Sequence, residues 1–181
     1  MTFSTNLRLD LPATGSSNGV WGVTTNNNLG TLIEQAISGY TTTAMTTNAD
    51  TVITIPDGAT GEARNMYIEI PSSLTLTAAR TLTVPANKKL YFVANLSTGG
   101  YAVTVKVSGL TGISVPNGAR MLLVCNGTDI VLATNTYNTG SFSISESGGK
   151  LYFKYGTTNI ASLDSTGNFV SLLNVTAYGT P

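Results

Sequence analysis

Residues 81–107 read TLTVPANKKLYFVANLSTGGYAVTVKV, and their pattern sets the fold class. Three runs within the stretch, TLTVP (81–85), KLYFVAN (89–95) and AVTVKV (102–107), alternate with a period of two and are rich in Val, Thr and aromatic residues. Such residues suit a pleated, half-buried surface. The turn signal Ser97-Thr98-Gly99-Gly100 separates two of the runs. The reading extends in both directions. TVITIP (51–56), NMYIEI (65–70) and LTLTA (74–78) come before the stretch, and GISVP (112–116), ARMLLVC (119–125) and DIVLAT (129–134) follow it. Pro56-Asp57-Gly58, Pro116-Asn117-Gly118 and Asn126-Gly127 mark further turns. Many short strands at even spacing point to a sandwich or barrel rather than βαβ units. Thr-rich alternation leaves one face of each strand wet, which favours antiparallel pairing.

The expected fold is mainly β. It is an antiparallel β-sandwich or barrel-like domain over residues 41–138, preceded by an N-terminal extended arm with one short helix (1–40) and followed by a C-terminal β-hairpin extension (139–181). The polar linker TNTYNTG (134–140) marks the second boundary, and SFSISE, KLYFKYG, NIASLD and NFVSLLNVTAYG continue the β pattern beyond it. This tail is about 40 residues long, near the size below which a unit rarely folds alone. It therefore packs on the central domain or is stabilised by a partner copy. KLYF occurs at both 89–92 and 150–153, too short a repeat to establish duplication.

In the arm, Leu7, Leu9 and Leu11 alternate as an extended segment would, and PATGSSNG follows as a turn-rich stretch. NNNLGTLIEQAISG (26–39) reads as a helix of about three turns, with Leu29, Leu32, Ile33, Ala36 and Ile37 forming one apolar stripe. Asn27 or Asn28 suits the N-cap and Gly39 a left-handed C-terminal cap. So short a helix must lean on something, and Trp21 is the candidate. The apolar surface of this region either caps an open end of the sandwich or docks on a partner or on symmetry-related copies.

Composition excludes several classes of function. Charged residues make up 10% of the 181, and Thr, Ser and Asn together number 62. A 41% apolar content supports a core and excludes disorder driven by low hydrophobicity. Nine Lys+Arg balance nine Asp+Glu, leaving no basic surplus for nucleic acid or an anionic membrane. Histidine is absent and Cys125 is the single cysteine, which excludes Ser-His-Asp and Cys-His catalysis, an internal disulfide and a thiolate zinc site within the chain. The opening MTFSTNLRLDLP lacks the apolar stretch of a secretory signal, and no run approaches the length of a membrane span. The expectation is a soluble protein with no membrane insertion.

The candidate chemistry is sparse. Glu62 and Glu69, or Asp57 and Glu62, are the candidate carboxylate pairs, but nine acids produce such pairs by chance, and solvation or pairing with Arg64 or Arg80 accounts for them. Asp57-Gly58 and Asp129 lack calcium-loop spacing, and no phosphate-binding glycine motif occurs. The N-x-[ST] triplets at Asn95, Asn126 and Asn174 are expected by chance in a chain this rich in Ser and Thr. No catalytic residue, cofactor or metal site is assigned. Tyr91, Tyr101, Tyr152 and Tyr155 lie on or beside strands and are the candidate glycan contacts, since an exposed ring beside Asn and Thr suits a sugar. The competing reading places Phe in the core and Tyr at a rim or an oligomer interface.

LRLDLPATGSSNGVWGVTTNNNLGTLIEQAISG (7–39) resembles the opening of many phage tail-fibre-like and other virion structural proteins. DGATGEARNMYIEI (57–70), the stretch from Leu76 to Val107, GISVPNGARMLLVCNGTDIVLAT (112–134) and KLYFKYGTTNIASLDSTGNFVSLLNVTAYGTP (150–181) are similar to later segments of the same group. The resemblance implies a non-enzymatic bacteriophage virion structural protein, assembled in the host cytoplasm as a homotrimer. It would form part of a tail fibre or appendage and contact other tail or capsid proteins of the virion. Trp21, Leu29, Leu32, Ile33 and Ile37 would then form the attachment or oligomer-organising region. Host-binding members of the group often continue into a larger distal domain, so an end at Pro181 leaves a short fibre, a tail adaptor or a capsid decoration protein. A capsid decoration protein on the head surface and a carbohydrate-binding module for host-surface glycans are the alternatives.

Overall fold

The computed structural model describes residues 2–16, 18–134 and 136–173. The β continuation expected through 174–179, and Asn174 with it, lies outside these residues. The chain divides into two units, Met1–Ala133 and Thr134–Pro181. The arm and helix therefore belong to the same unit as the sandwich.

In the first unit, β1 (Thr2–Phe3) pairs antiparallel with β2 (Asp10–Leu11). The three alternating leucines do not form one extended segment. The chain turns through residues 5–7, and Arg8 takes a φ of 52°, the one left-handed non-glycine residue among those described. The helix begins at Trp21, ahead of the expected cap. It runs as α1 (Trp21–Asn27), a π-helical turn (Asn28–Ile33) and α2 (Glu34–Ser38). A π turn carries an extra residue and rotates each side chain less about the axis than an α turn does. It therefore breaks the expected stripe: Leu32 and Ala36 are buried, Ile33 is half-buried, and Leu29 and Ile37 face solvent. Gly39 is extended (φ −65°, ψ 136°) rather than left-handed. Glycine is needed there for space, because a Cβ would lie 2.2 Å from the Gln35 carbonyl oxygen and 2.5 Å from Asn65 Oδ1.

From Tyr40 onward the chain winds between two sheets. β3 (Tyr40–Thr41), β5 (Tyr67–Ile70) and β7 (Lys89–Asn95) lie in one sheet, and β4 (Thr51–Val52), β6 (Arg80–Val84) and β8 (Val103–Val107) in the other. All neighbours within these two triplets are parallel. Three coils of a flattened spiral result, with a strand of the opposite sheet taking the place that a crossover helix usually fills. The direction then reverses. β9 (Ile113–Val115) pairs antiparallel with β8, and β10 (Arg120–Cys125) lies antiparallel to both β7 and β11 (Ile130–Leu132). The domain is thus a sandwich whose sheets are mixed, not wholly antiparallel. Alternation still sets the faces: Ile68, Ile70, Leu82, Val84, Tyr91, Val93, Val103, Val105 and Leu123 point between the sheets into one buried cluster. Burial of each such aliphatic side chain stabilises by about 1.5–3 kcal/mol.

Two polar groups tie the loops to this core. Buried Asn95 donates from Nδ2 to the carbonyls of Tyr101 and Val115, both at 3.1 Å, and accepts from Ser97 Oγ at 2.6 Å. Its burial removes the first N-x-[ST] triplet from the surface. Asp129 accepts from the backbone N–H groups of Val107 (3.0 Å) and Gly112 (2.7 Å), joining the reversal at β8–β9 to β11. Partial burial acts to raise its carboxyl pKa, but backbone donors outweigh this and hold it below the usual range.

The second unit is a five-stranded antiparallel meander rather than a single hairpin. β12 (Thr136–Thr139), β13 (Phe142–Ser147), β14 (Lys150–Tyr155), β15 (Thr158–Asp164) and β16 (Phe169–Ser171) pair in chain order. Gly148 and Gly149, at φ 56° and 73°, make the turn between β13 and β14. Asp164 holds the β15–β16 turn, its Oδ1 accepting from Thr166 Oγ1 at 2.7 Å and from Asn168 N at 2.9 Å. These bonds, led by that from Thr166, pull its carboxyl down to about 2.

Candidate functional site

The N-terminal region is fastened to the first unit mainly by amide chemistry. The Asn28 side chain behaves like a strand partner of Asp10, accepting from its N–H (3.1 Å) and donating to its carbonyl (2.8 Å). Asn27 donates to the Gly58 carbonyl at 2.9 Å. The two asparagines expected to cap the helix thus sit inside it and reach outward instead. Asn87 Nδ2 donates to the carbonyls of Thr5 (3.0 Å) and Asn6 (2.8 Å), and Arg8 Nε pairs with Asp57 Oδ1 at 2.6 Å. Beneath them lies Arg64, wholly buried, donating to the carbonyls of Leu7, Pro56 (2.7 Å) and Ala59 (2.8 Å).

With the helix held this way, much of its apolar surface stays outside. Trp21 is 68% exposed, Leu29 58% and Ile37 62%, and Val20 and Val23 are exposed as well. Trp21 is therefore not what the helix leans on. It borders an open depression of about 460 Å³ with Ala13, Gly15 and Asn18. Of the five residues expected in an attachment region, the structure presents Trp21, Leu29 and Ile37, half-buries Ile33 and commits Leu32 to packing.

The tyrosines do not build one sugar surface. Tyr91 is 0% exposed and points into the core, so it cannot be a glycan contact; its neighbour Phe92 faces outward. Tyr101 is exposed in the loop before β8. Tyr152 and Tyr155 sit on opposite faces of the second unit's sheet, Tyr152 opposite Ser145 and Ser162, and Tyr155 opposite Phe142. On the outer face of the first sheet, Tyr40, Tyr67 and Phe92 occupy matched registers and stack with centroids 4.8 and 4.9 Å apart. Tyr67, the middle ring, spends both faces on its neighbours, and Tyr40 at the sheet edge is the exposed ring of the column. Its hydroxyl donates to Glu69 Oε2 at 2.7 Å, and this bond pushes its pKa up to about 12.

The carboxylates serve as structural acceptors. Glu62 takes hydrogen bonds from Thr41 and Thr43, Glu69 from Tyr40, and Asp57 pairs with Arg8. Among the described residues neither Arg64 nor Arg80 pairs with an acid; Arg80 donates to Asn48 Oδ1 at 2.9 Å. The sequence reading missed the two cations turned inward, buried Arg64 and half-buried Lys89. Lys89 Nζ donates to the carbonyls of Ala63 (3.2 Å), Arg64 and Asn65 (2.9 Å) and lies 4.5 Å from the Tyr91 ring centre. Burial, and after it the charge of Arg64, lower its pKa to about 7. The available signal was parity, because Lys89 shares the inward side of β7 with Tyr91. Among the described residues no group of acids and Cys125 is placed to hold a metal ion.

In comparisons with known proteins, no family model, curated protein or solved structure matches this chain.

Proposed function

We propose that the chain is a non-enzymatic structural protein of a bacteriophage virion, a component of a tail fibre or similar appendage that assembles with copies of itself and attaches through the helical region at 21–38. One observation carries the reading: Trp21, Leu29 and Ile37 stand exposed on a helix whose other contacts are locked to the β body. A large apolar ring beside small polar residues on a braced element is what a docking partner buries at the centre of its interface. The resemblance of residues 7–39 to the openings of virion structural proteins supports the same assignment.

Electron cryo-microscopy of virions carrying a tagged copy of the chain tests this. Density at the tail is the expected result. Density spread over head faces would replace the appendage with a capsid decoration protein, and particles without density would overturn the reading.

A further inference from the structure

The described residues of the second unit form a single layer of sheet, and none of residues 140–173 is buried. Its two faces nevertheless differ as the two sides of a sandwich strand do. Cross-strand registers place Ile144, Phe153 and Ala161 in one row and Leu151, Leu163 and Phe169 in the next, all on one face. The opposite face carries Ser143, Ser145, Lys150, Lys154, Ser162 and Asp164, with Tyr152 among them and Val170 at the β16 edge. On the apolar face Leu151 is 38% exposed, Leu163 39% and Phe169 55%. Over β13 and β14 such alternation is the sequence signature of a face packed against a second layer, and no second layer exists among the unit's described residues.

We infer that this apolar face is the self-association surface of the chain, covered by the same face of other copies. The inference rests on the homo-oligomeric part of the proposed function and gives it a location. Charge favours a like partner: the row of Ile144, Phe153 and Ala161 carries no charge, and Glu146 is the one acid in the neighbouring row, so copies meet without central repulsion. Area agrees. Five strands of three to seven residues, at about 4.8 Å spacing and about 3.4 Å rise, give a face of roughly 400 Å². Two such faces bury about 800 Å² in total and three around an axis about 1,200 Å², on either side of the roughly 1,000 Å² that a specific interface needs.

The test is the solution mass of the purified full chain at micromolar concentration, by light scattering after size exclusion. A multimer is expected, with Leu151→Lys reducing it to monomer and Ser145→Lys, on the polar face, leaving the mass unchanged. If Leu151→Lys is insoluble, Ala161→Cys replaces it: mild oxidation should give thiol-reversible cross-links between copies, and Ser145→Cys should give none. Cys125 is buried and contributes no background. A monomeric wild type, or cross-linking confined to Ser145→Cys, would overturn the inference. The virion reading stands or falls separately, since a self-associating chain missing from virions rejects that reading alone, and a monomer found at the tail rejects only this inference.

Discussion

KLYF at 89–92 and KLYF at 150–153 are the same four residues put to opposite uses. In β7, Lys89 and Tyr91 face the core while Leu90 and Phe92 face out, where Phe92 joins the aromatic stack. In β14, Leu151 and Phe153 lie on the apolar face and Tyr152 on the polar one. Period-two alternation fixes which residues share a face, but not which face becomes the interior. The opposing layer decides that. In the first unit the second sheet supplies it, and Lys89 is drawn inside with three carbonyls as partners. In the second unit the described residues supply none, and the proposed self-association would provide it.

The sharpest way to break the comparison is to truncate matched leucines. Leu82→Ala, in the sealed core, is expected to cost about 3 kcal/mol in denaturant unfolding. Leu151→Ala is expected to cost under about 1 kcal/mol at dilutions that separate copies, and more as concentration rises. Equal costs at all concentrations would show that the second unit seals its own core. Asn28→Ala comes next, at about 1–2 kcal/mol, because it strands both backbone groups of Asp10. Hydrogen exchange at Asp10 should rise while the exchange of β7 stays slow.

Trp21→Ala is expected to change stability by no more than about 0.5 kcal/mol, as befits an exposed residue. It should nevertheless lower incorporation into virions by about tenfold, equivalent to about 1.4 kcal/mol of docking energy. Loss of the β circular-dichroism signal in this variant would mean that Trp21 is structural. The smallest effect concerns pH. The Asp164 carboxyl should titrate near 2 by NMR, and Asn168→Ala should move it toward the ordinary value of about 4. Because the folded value is depressed, the turn's contribution is complete above the ordinary pKa and disappears as pH falls through about 2.

Strand positions were legible because Val, Ile and Thr alternation is a local property. KLYFVAN and ARMLLVC became β7 and β10 almost residue for residue. LTLTA did not become a strand; it contributes one bridge, Thr75 to Thr98. Strand direction was not legible. Wet outer faces usually signal antiparallel pairing because parallel sheets are covered by helices. A spiral of two sheets keeps its strands parallel and its outer faces wet, so Thr-rich alternation carries no directional information here. For the site, Trp21, Leu29 and Ile37 were legible as apolar residues with no evident place in the β core. The fate of Leu32 was hidden because the π turn between Asn28 and Ile33 leaves no trace in a helical period. Tyr91 and Phe92 had to part company, but which ring turned inward depended on the sheet opposite.

The column of Tyr40, Tyr67 and Phe92 is also an optical device. Rings held 4.8–4.9 Å apart and within 15° of parallel couple their electronic transitions, and each ring belongs to a different coil of the spiral. Near-ultraviolet ellipticity from this stack therefore reports whether successive coils remain in register, while far-ultraviolet ellipticity reports only that strands exist. Uncoiling that begins at the outermost strand would dim the first signal before the second.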